Sequence, residues 1–360
     1  MHTIAPDDIV RTMEEAAGND RPPLLVTDPL ERVLDGLGCG EGALEAAPIG
    51  EGHSNVTFMI RRSGWEGVIR RPPRPPLPPS AHDVVREARV MRAVAGAARV
   101  PRVLAVCEDA SLIGAPFVVM DRVEGHVVTN CIPPALDAPE DRRRIGAEIV
   151  DALVEIHAVD WRAAGLEGFG KPTGYLERQL RRFGGLWELN RTRDVPDVEW
   201  VAGWLGRHLP ESGPATVVHG DFRLGNVIFA PEAPARIVAV LDWEMATIGD
   251  PLADLGYLTA LWVGPGDPDR ALGVYELSPV TRQPGFPNAA DLVARYEERS
   301  GRSMTDLRWY QTLAIWKSVI FMEGNYRRAV SGATDDPYLR SFGDAVVELA
   351  ACARAVAEAA

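Results

Sequence analysis

The sequence predicts an α+β chain of two lobes, a small antiparallel-sheet lobe followed by a larger, mainly helical one. Three observations carry this. Strand-like runs concentrate before residue 121, helical periodicity dominates after it, and a short hinge falls near 121–125. With 46% of its 360 residues hydrophobic, the chain can fill about two cores. The expected division is an N-terminal arm over 1–27, a first lobe over 28–121 and a second over 122–360.

The arm reads as amphipathic or loosely held, and Asp28-Pro29 then offers a helix start for LERVLDGL. From 48 to 71 the pattern turns β-like, with IGEGHSNVTFMIRR, a turn at Ser63-Gly64, and WEGVIRR. The proline-dense run 72–79 cannot pair in a sheet centre and reads as a stiff connector. Ser80, three residues before Asp83, suggests an N-cap for AHDVVREARVMRAVAG, where Val84, Ala88, Met91 and Ala95 share a stripe. Glu87 lies at the edge of that stripe, so its carboxylate points inward and needs a partner. RVLAVCED and PFVVMDRV are further strands. The longer helical region carries short β segments at VVHGDF, NVIFA and RIVAVLDW.

Composition excludes several function classes. A net charge of −13 leaves no basic surface for a nucleic-acid backbone, so a nucleic-acid partner is not expected. The basic residues are two lysines, Lys171 and Lys317, and otherwise arginines. Cys39, Cys107, Cys131 and Cys352 form no CxxC, which suits a reducing compartment and neither a disulfide framework nor a zinc site. The acidic first twenty residues lack the pattern of a signal peptide. LAIWKSVIFM is too short to span a bilayer and carries Lys317. No membrane partner is expected, and the expected location is the cytoplasm.

The strongest motif is VVHGDFRLGNVIF, residues 217–229, which reads strand, loop, strand with Asp221 and Asn226 on the loop. The segment PEAPA then turns a hairpin, and the next strand, Ile237 to Leu241, ends at Asp242. Phosphoryl transfer needs hard oxygen ligands for Mg²⁺, clamped phosphates and an aligned acceptor hydroxyl, and these side chains meet that need. HGDFRLGN followed by LDWEMATIGDPLADLGY resembles the aminoglycoside phosphotransferase and choline kinase family, a protein-kinase-like fold. GEGHSN, the proline connector and the LDWE segment are similar to the kinase-like domains fused to some acyl-CoA dehydrogenases. The match runs from about residue 28 to about residue 335.

The resemblance implies ATP, with GTP as the variant, together with Mg²⁺ and a small-molecule hydroxyl acceptor. It makes Asp221 the catalytic base, Asn226 and Asp242 the metal ligands, and His219 a brace for the loop. Glu244 either reaches a second metal or caps the loop. Arg223 either contacts the transferring phosphoryl or braces the loop. Asp250 and Asp254 hold the loop and start the next helix.

On the nucleotide side, the amides near Ser54 and Asn55 are candidates for β-phosphate contact, in a turn that lacks the third glycine of G-x-G-x-x-G. Arg70 stands where kinases carry a phosphate-gripping lysine, and its expected partner is an ionised Glu87. The Asp121 carbonyl and Val123 amide would bond the purine, with Met120 on the pocket floor. After residue 258, Lys317, Glu323, Tyr326 and Arg328 are acceptor-side candidates on an amphipathic pattern. The acceptor, whether aminoglycoside-like antibiotic, amino alcohol or hydroxyacyl metabolite, is left open, as is the oligomeric state. A catalytically inactive nucleotide-binding module is the alternative. A protein kinase is disfavoured because Trp243-Glu244 replaces Phe-Gly and no APE-type segment follows.

Overall fold

A computed structural model describes residues 5–50, 55–77, 82–267 and 272–359. The chain divides into two compact units. The first holds residues up to Ala95, then Val100–Val123 and the short return Asp242–Glu244; the second holds Gly96–Arg99, Glu124–Leu241 and Met245 onward. Ser54 and Ser80 lie outside the described residues.

The first unit begins with two short parallel strands, β1 (Ile9–Val10) and β2 (Leu25–Val26), before helix α1 (Thr27–Leu37). Of the segment read as an amphipathic or loosely held arm, the end at Leu24–Val26 joins this unit's core. Leu24, Leu25 and Val26 are buried with Leu30, Phe58, Ile69 and Phe117. Asp8, 1% exposed, anchors the segment through Arg21 at 3.1 Å and through Arg74. Apolar side chains this close to a strand edge bury more favourably than they solvate, which overrides the acidic composition around them.

Five strands form the antiparallel sheet in the order β3-β4-β5-β7-β6: β3 (Glu41–Ile49), β4 (Val56–Ser63), β5 (Trp65–Arg71), β6 (Val103–Cys107) and β7 (Phe117–Asp121). β4 alternates buried and exposed positions, burying Phe58 and Ile60, as a half-buried strand should. Helix α2 (Val84–Val94) packs against β6 and β7 and buries Val84, Glu87, Ala88 and Met91. Its cap is Asp83, which accepts from the Arg86 amide, and Val94 rather than Ala95 completes the buried stripe.

The second unit contains α3 (Pro139–His157), α4 (Tyr175–Asn190), α5 (Pro196–Arg207), α6 (Leu252–Leu261), α7 (Ala289–Ser300), α8 (Leu307–Val330), α9 (Pro337–Arg340) and α10 (Phe342–Glu358). α8 is its axis, packed on α4, α5, α6 and α10 around Trp187, Trp309, Tyr310, Trp316 and Leu349. Two small antiparallel ladders carry the motif segments: β9 (Val227–Phe229) with β10 (Ile237–Val240), and β8 (Thr216–Val218) with β11 (Thr247–Gly249). Gly125 in this unit takes φ 153, where a Cβ would lie 2.1 Å from the Phe229 carbonyl, so only glycine lets His126 pair with Phe229. Among the described residues, no helix is long and apolar enough to cross a membrane.

Candidate active site

The residues singled out from the sequence fall in both units. Asn55, Arg70, Glu87, Met120, Asp121, Val123, Asp242 and Glu244 belong to the first; His219, Asp221, Arg223 and Asn226 belong to the second.

In the second unit, β8 delivers the chain into the loop His219–Arg223, which closes through a 3-10 turn, Leu224–Asn226, into β9. His219 is fully buried. Its Nε2 lies 2.9 Å from the Leu241 carbonyl and its Nδ1 3.3 Å from the Asp221 amide. A carbonyl can only accept and an amide can only donate, so the proton sits on Nε2 and the ring is a strut. Gly220 takes φ 88, and a Cβ there would meet the Met245 carbonyl at 2.8 Å. Asn226 Nδ2 donates to both the carbonyl and Oδ2 of Asp221, each at 2.8 Å, while Arg223 Nε stands 3.5 Å from Asp221 Oδ1. The carboxylate at the loop's tip is thus held and remains partly exposed.

Asp254, on the first turn of α6, holds the loop from beneath. It accepts from the His219 amide at 2.6 Å and the Gly220 amide at 2.8 Å, and contacts His157 Nε2 at 3.2 Å. Burial opposes its ionisation, but His157 and the loop amide outweigh burial and keep its pKa below the usual carboxylate range. Asp250 accepts from the Tyr310 hydroxyl at 2.8 Å and from the Leu252 amide. His157 is the member that sequence reasoning missed; it lies on α3, and no local pattern ties that helix to the loop.

In the first unit, Arg70 on β5 reaches Glu87 at 2.8 Å through Nε and Asp242 Oδ1 at 2.7 Å through Nη2. Asn55 Nδ2 sits 3.4 Å from Glu87 and 3.5 Å from Glu244. The Asn55 side chain, where an amide contact was expected, joins this cluster, and its buried Oδ1 has no hydrogen-bond partner among the described residues. Glu87 is 4% exposed, and its arginine does not fully offset that burial. Burial first, with Asp242 and Glu244 adding to it and Arg70 opposing, pushes its pKa up to about 7. One guanidinium shared among three carboxylates cannot neutralise them all. Arg70 itself is held charged, since the three acids outweigh the cost of burial. Asp242 adopts φ 63, a left-handed conformation that costs a non-glycine residue energy and recurs at functional sites. Met120 is buried, and Asp121 carries an ion pair with Arg102 at 2.9 Å.

Among the described residues, no three His, Cys, Asp or Glu side chains form a ready-made metal cage. Mg²⁺ does not require one, because it is held by one or two carboxylates plus phosphate oxygens and water. The hard oxygens of Asn226 and Asp242 suit that chemistry. On the acceptor side, Glu323 is fully buried and accepts from the amide and hydroxyl of Thr192, both at 2.7 Å. Tyr326 lies under Arg193, 4.9 Å from ring centroid to guanidinium. Both are packing residues. Lys317 differs, since its charge interacts with Asp221.

The model of the phosphotransferase enzyme family matches residues 45–286. Mouse (Mus musculus) acyl-CoA dehydrogenase family member 10 is 33% identical over 97% of this chain, which spans 34% of that relative's length. A solved Ralstonia eutropha protein, provisionally named an aminoglycoside phosphotransferase, is 31% identical with TM-score 0.78, over 92% of this chain and 98% of that one. A thermostable mutant of aminoglycoside phosphotransferase APH(4)-Ia, in ternary complex with AMP-PNP and hygromycin B, is 19% identical with TM-score 0.55, over 89% of this chain and 98% of that one. The last shows likeness of fold alone. These folds are kinase-like, with an antiparallel sheet followed by a helical part, as read from the sequence.

Proposed function

Because the chain belongs to the phosphotransferase enzyme family, we propose that it moves the γ-phosphoryl group of ATP onto a hydroxyl of a small molecule. The observation that carries the reading is Asp221: a partly exposed carboxylate at the tip of a loop whose amides, histidine and asparagine all hold it in place. In this reading the acceptor oxygen attacks the γ-phosphorus, the bond to the β-phosphate oxygen breaks, and the hydroxyl proton passes to Asp221. ADP leaves. Asn226 and Asp242 would hold Mg²⁺, which neutralises phosphate charge when bound. Arg70, kept charged by three acids, supports a phosphate-facing role in the place of a lysine. Nucleotide use is supported by the AMP-PNP complex of the structural neighbour, and GTP is the variant to test beside ATP. Candidate acceptors are aminoglycoside-like antibiotics, amino alcohols and hydroxyacyl metabolites.

The test is Mg²⁺-dependent ADP release across hydroxylated acceptors. Asp221→Ala should reduce transfer by about a thousandfold or more while leaving ATP affinity within about threefold. Near-normal turnover in that variant would remove Asp221 from the role. A second reading, a nucleotide-binding module without turnover, has one observation in its favour: Arg70 is already engaged by Glu87 and Asp242. Tight ATP binding with no ADP release for any acceptor would select it.

A further inference from the structure

His157, the last residue of α3, meets Asp254 of α6 on one side of its ring and Tyr296 of α7 on the other. Its Nε2 lies 3.2 Å from Asp254 Oδ2, and its Nδ1 lies 2.7 Å from the Tyr296 hydroxyl. Tyr296 is fully buried and His157 is 5% exposed. The two rings stand edge to face, with centroids 5.7 Å apart and planes at 81°. Three helices of the second unit, distant in sequence, thus converge on one imidazole behind the loop His219–Arg223.

The direction of both bonds follows from what each atom can do. Asp254 already accepts from the His219 and Gly220 amides, at 2.6 and 2.8 Å, and as a carboxylate it can only accept. The proton between it and His157 therefore sits on Nε2. Burial first, with Arg302 adding to it and Asp254 and Asp250 opposing, holds the pKa of His157 below its ordinary value, so the ring is neutral at pH 7. A neutral imidazole has one N–H, which leaves Nδ1 a lone pair and makes the Tyr296 hydroxyl its donor. That bond, shorter than the one to Asp254, fixes the rotation of the ring. Without it Nδ1 would be a buried acceptor with no donor, a cost that turning the ring relieves at the expense of the longer bond. Resting on the phosphotransferase reading, we propose that Tyr296 is a positioning residue: by donating to His157 Nδ1 it locks Nε2–H onto Asp254, and through Asp254 it sets the His219–Gly220 turn that carries Asp221.

The experiment uses the full chain and nitrogen NMR of the histidine rings, with the His157 signals assigned by their loss in His157→Gln. In the wild type the His157 proton should sit on Nε2, and the Nδ1 signal should lie upfield of a free lone-pair nitrogen because it accepts a hydrogen bond. Tyr296→Phe keeps the ring and removes only the hydroxyl. It should move Nδ1 downfield and shift the His219 and Gly220 amides, while the Asp291 amide, capped by Asn288 at the start of α7, stays in place. Mg²⁺-dependent ADP release from ATP, with water as the acceptor, should fall about fivefold in kcat with the KM for ATP unchanged. A wild-type proton on Nδ1 overturns the proposal before any variant is made. Unmoved loop amides or undiminished ADP release in Tyr296→Phe also overturn it, and mark a tyrosine that only packs. If the wild-type chain releases no ADP, the phosphotransferase reading falls instead, and the ring and loop signals alone decide the role of Tyr296.

Discussion

Lys317 places its ammonium 4.8 Å from the centroid of the Phe183 ring. Burial pushes its pKa down from 10.5 to about 8; Asp254 and Asp221 oppose that shift and Arg182 adds to it. The folded chain therefore binds fewer protons at this site than the unfolded chain between pH 8 and 10.5. Stability should rise as pH climbs through that window, because the penalty for burying the charge disappears. Lys317→Met removes the penalty at neutral pH and forfeits a cation–π contact of about 1 kcal/mol, for a net gain on the order of 1 kcal/mol. Urea unfolding at pH 7 and pH 10 checks this. The difference between wild type and variant should shrink at the higher pH, and a variant less stable at pH 7 would refute the account. From sequence, Lys317 was one of four candidates on one helix. Only the tertiary neighbours separate it from Glu323 and Tyr326, because helical periodicity says which face a residue occupies and not what lies opposite.

At the scale of elements, the loop His219–Arg223 depends on α6. Asp254→Ala would leave the two loop amides and His157 without their acceptor in a dry interior, at a cost of about 3 kcal/mol, and should abolish ADP release. Thermal unfolding and the release assay report the two effects separately. A stable, active variant would show that the loop stands unaided. The loop, β9, β10 and the Arg70–Glu87 pair were legible in the sequence because each follows from a local pattern: flanking apolar runs, a hairpin, or an acid beside a buried stripe. β3 was not, since its residues Glu41–Ile49 are mostly exposed and owe their strand to pairing with β4. β11 has three residues and is defined by β8. The raised pKa of Glu87 was also illegible, because it takes burial first and then two further acids, Asp242 and Glu244, brought from far along the chain.

For the whole molecule, the division of the chain into units is not a single cut. The segment Gly96–Arg99 counts with the second unit although chain on either side of it belongs to the first. Arg99 is why. Its guanidinium binds Glu155 at 2.7 Å, Glu148 at 2.5 Å and the Ile237 carbonyl at 3.2 Å, and its own carbonyl accepts from the Val240 amide at 2.7 Å. A fragment of residues 124–360, which a cut at the expected hinge would produce, lacks all of these bonds. Glu148 and Glu155 then lose that shared cation, and the Val240 amide loses the Arg99 carbonyl. Arg99→Met in the full chain removes the ion pairs but keeps the amide bond, so it should cost about 2 kcal/mol, and the fragment should be less stable still. Urea titrations followed by far-UV circular dichroism order the second-unit transitions of the full chain, the variant and the fragment. The argument requires the midpoint to fall in that order; a fragment that unfolds no earlier than Arg99→Met would mean that this strap is not what completes the second unit.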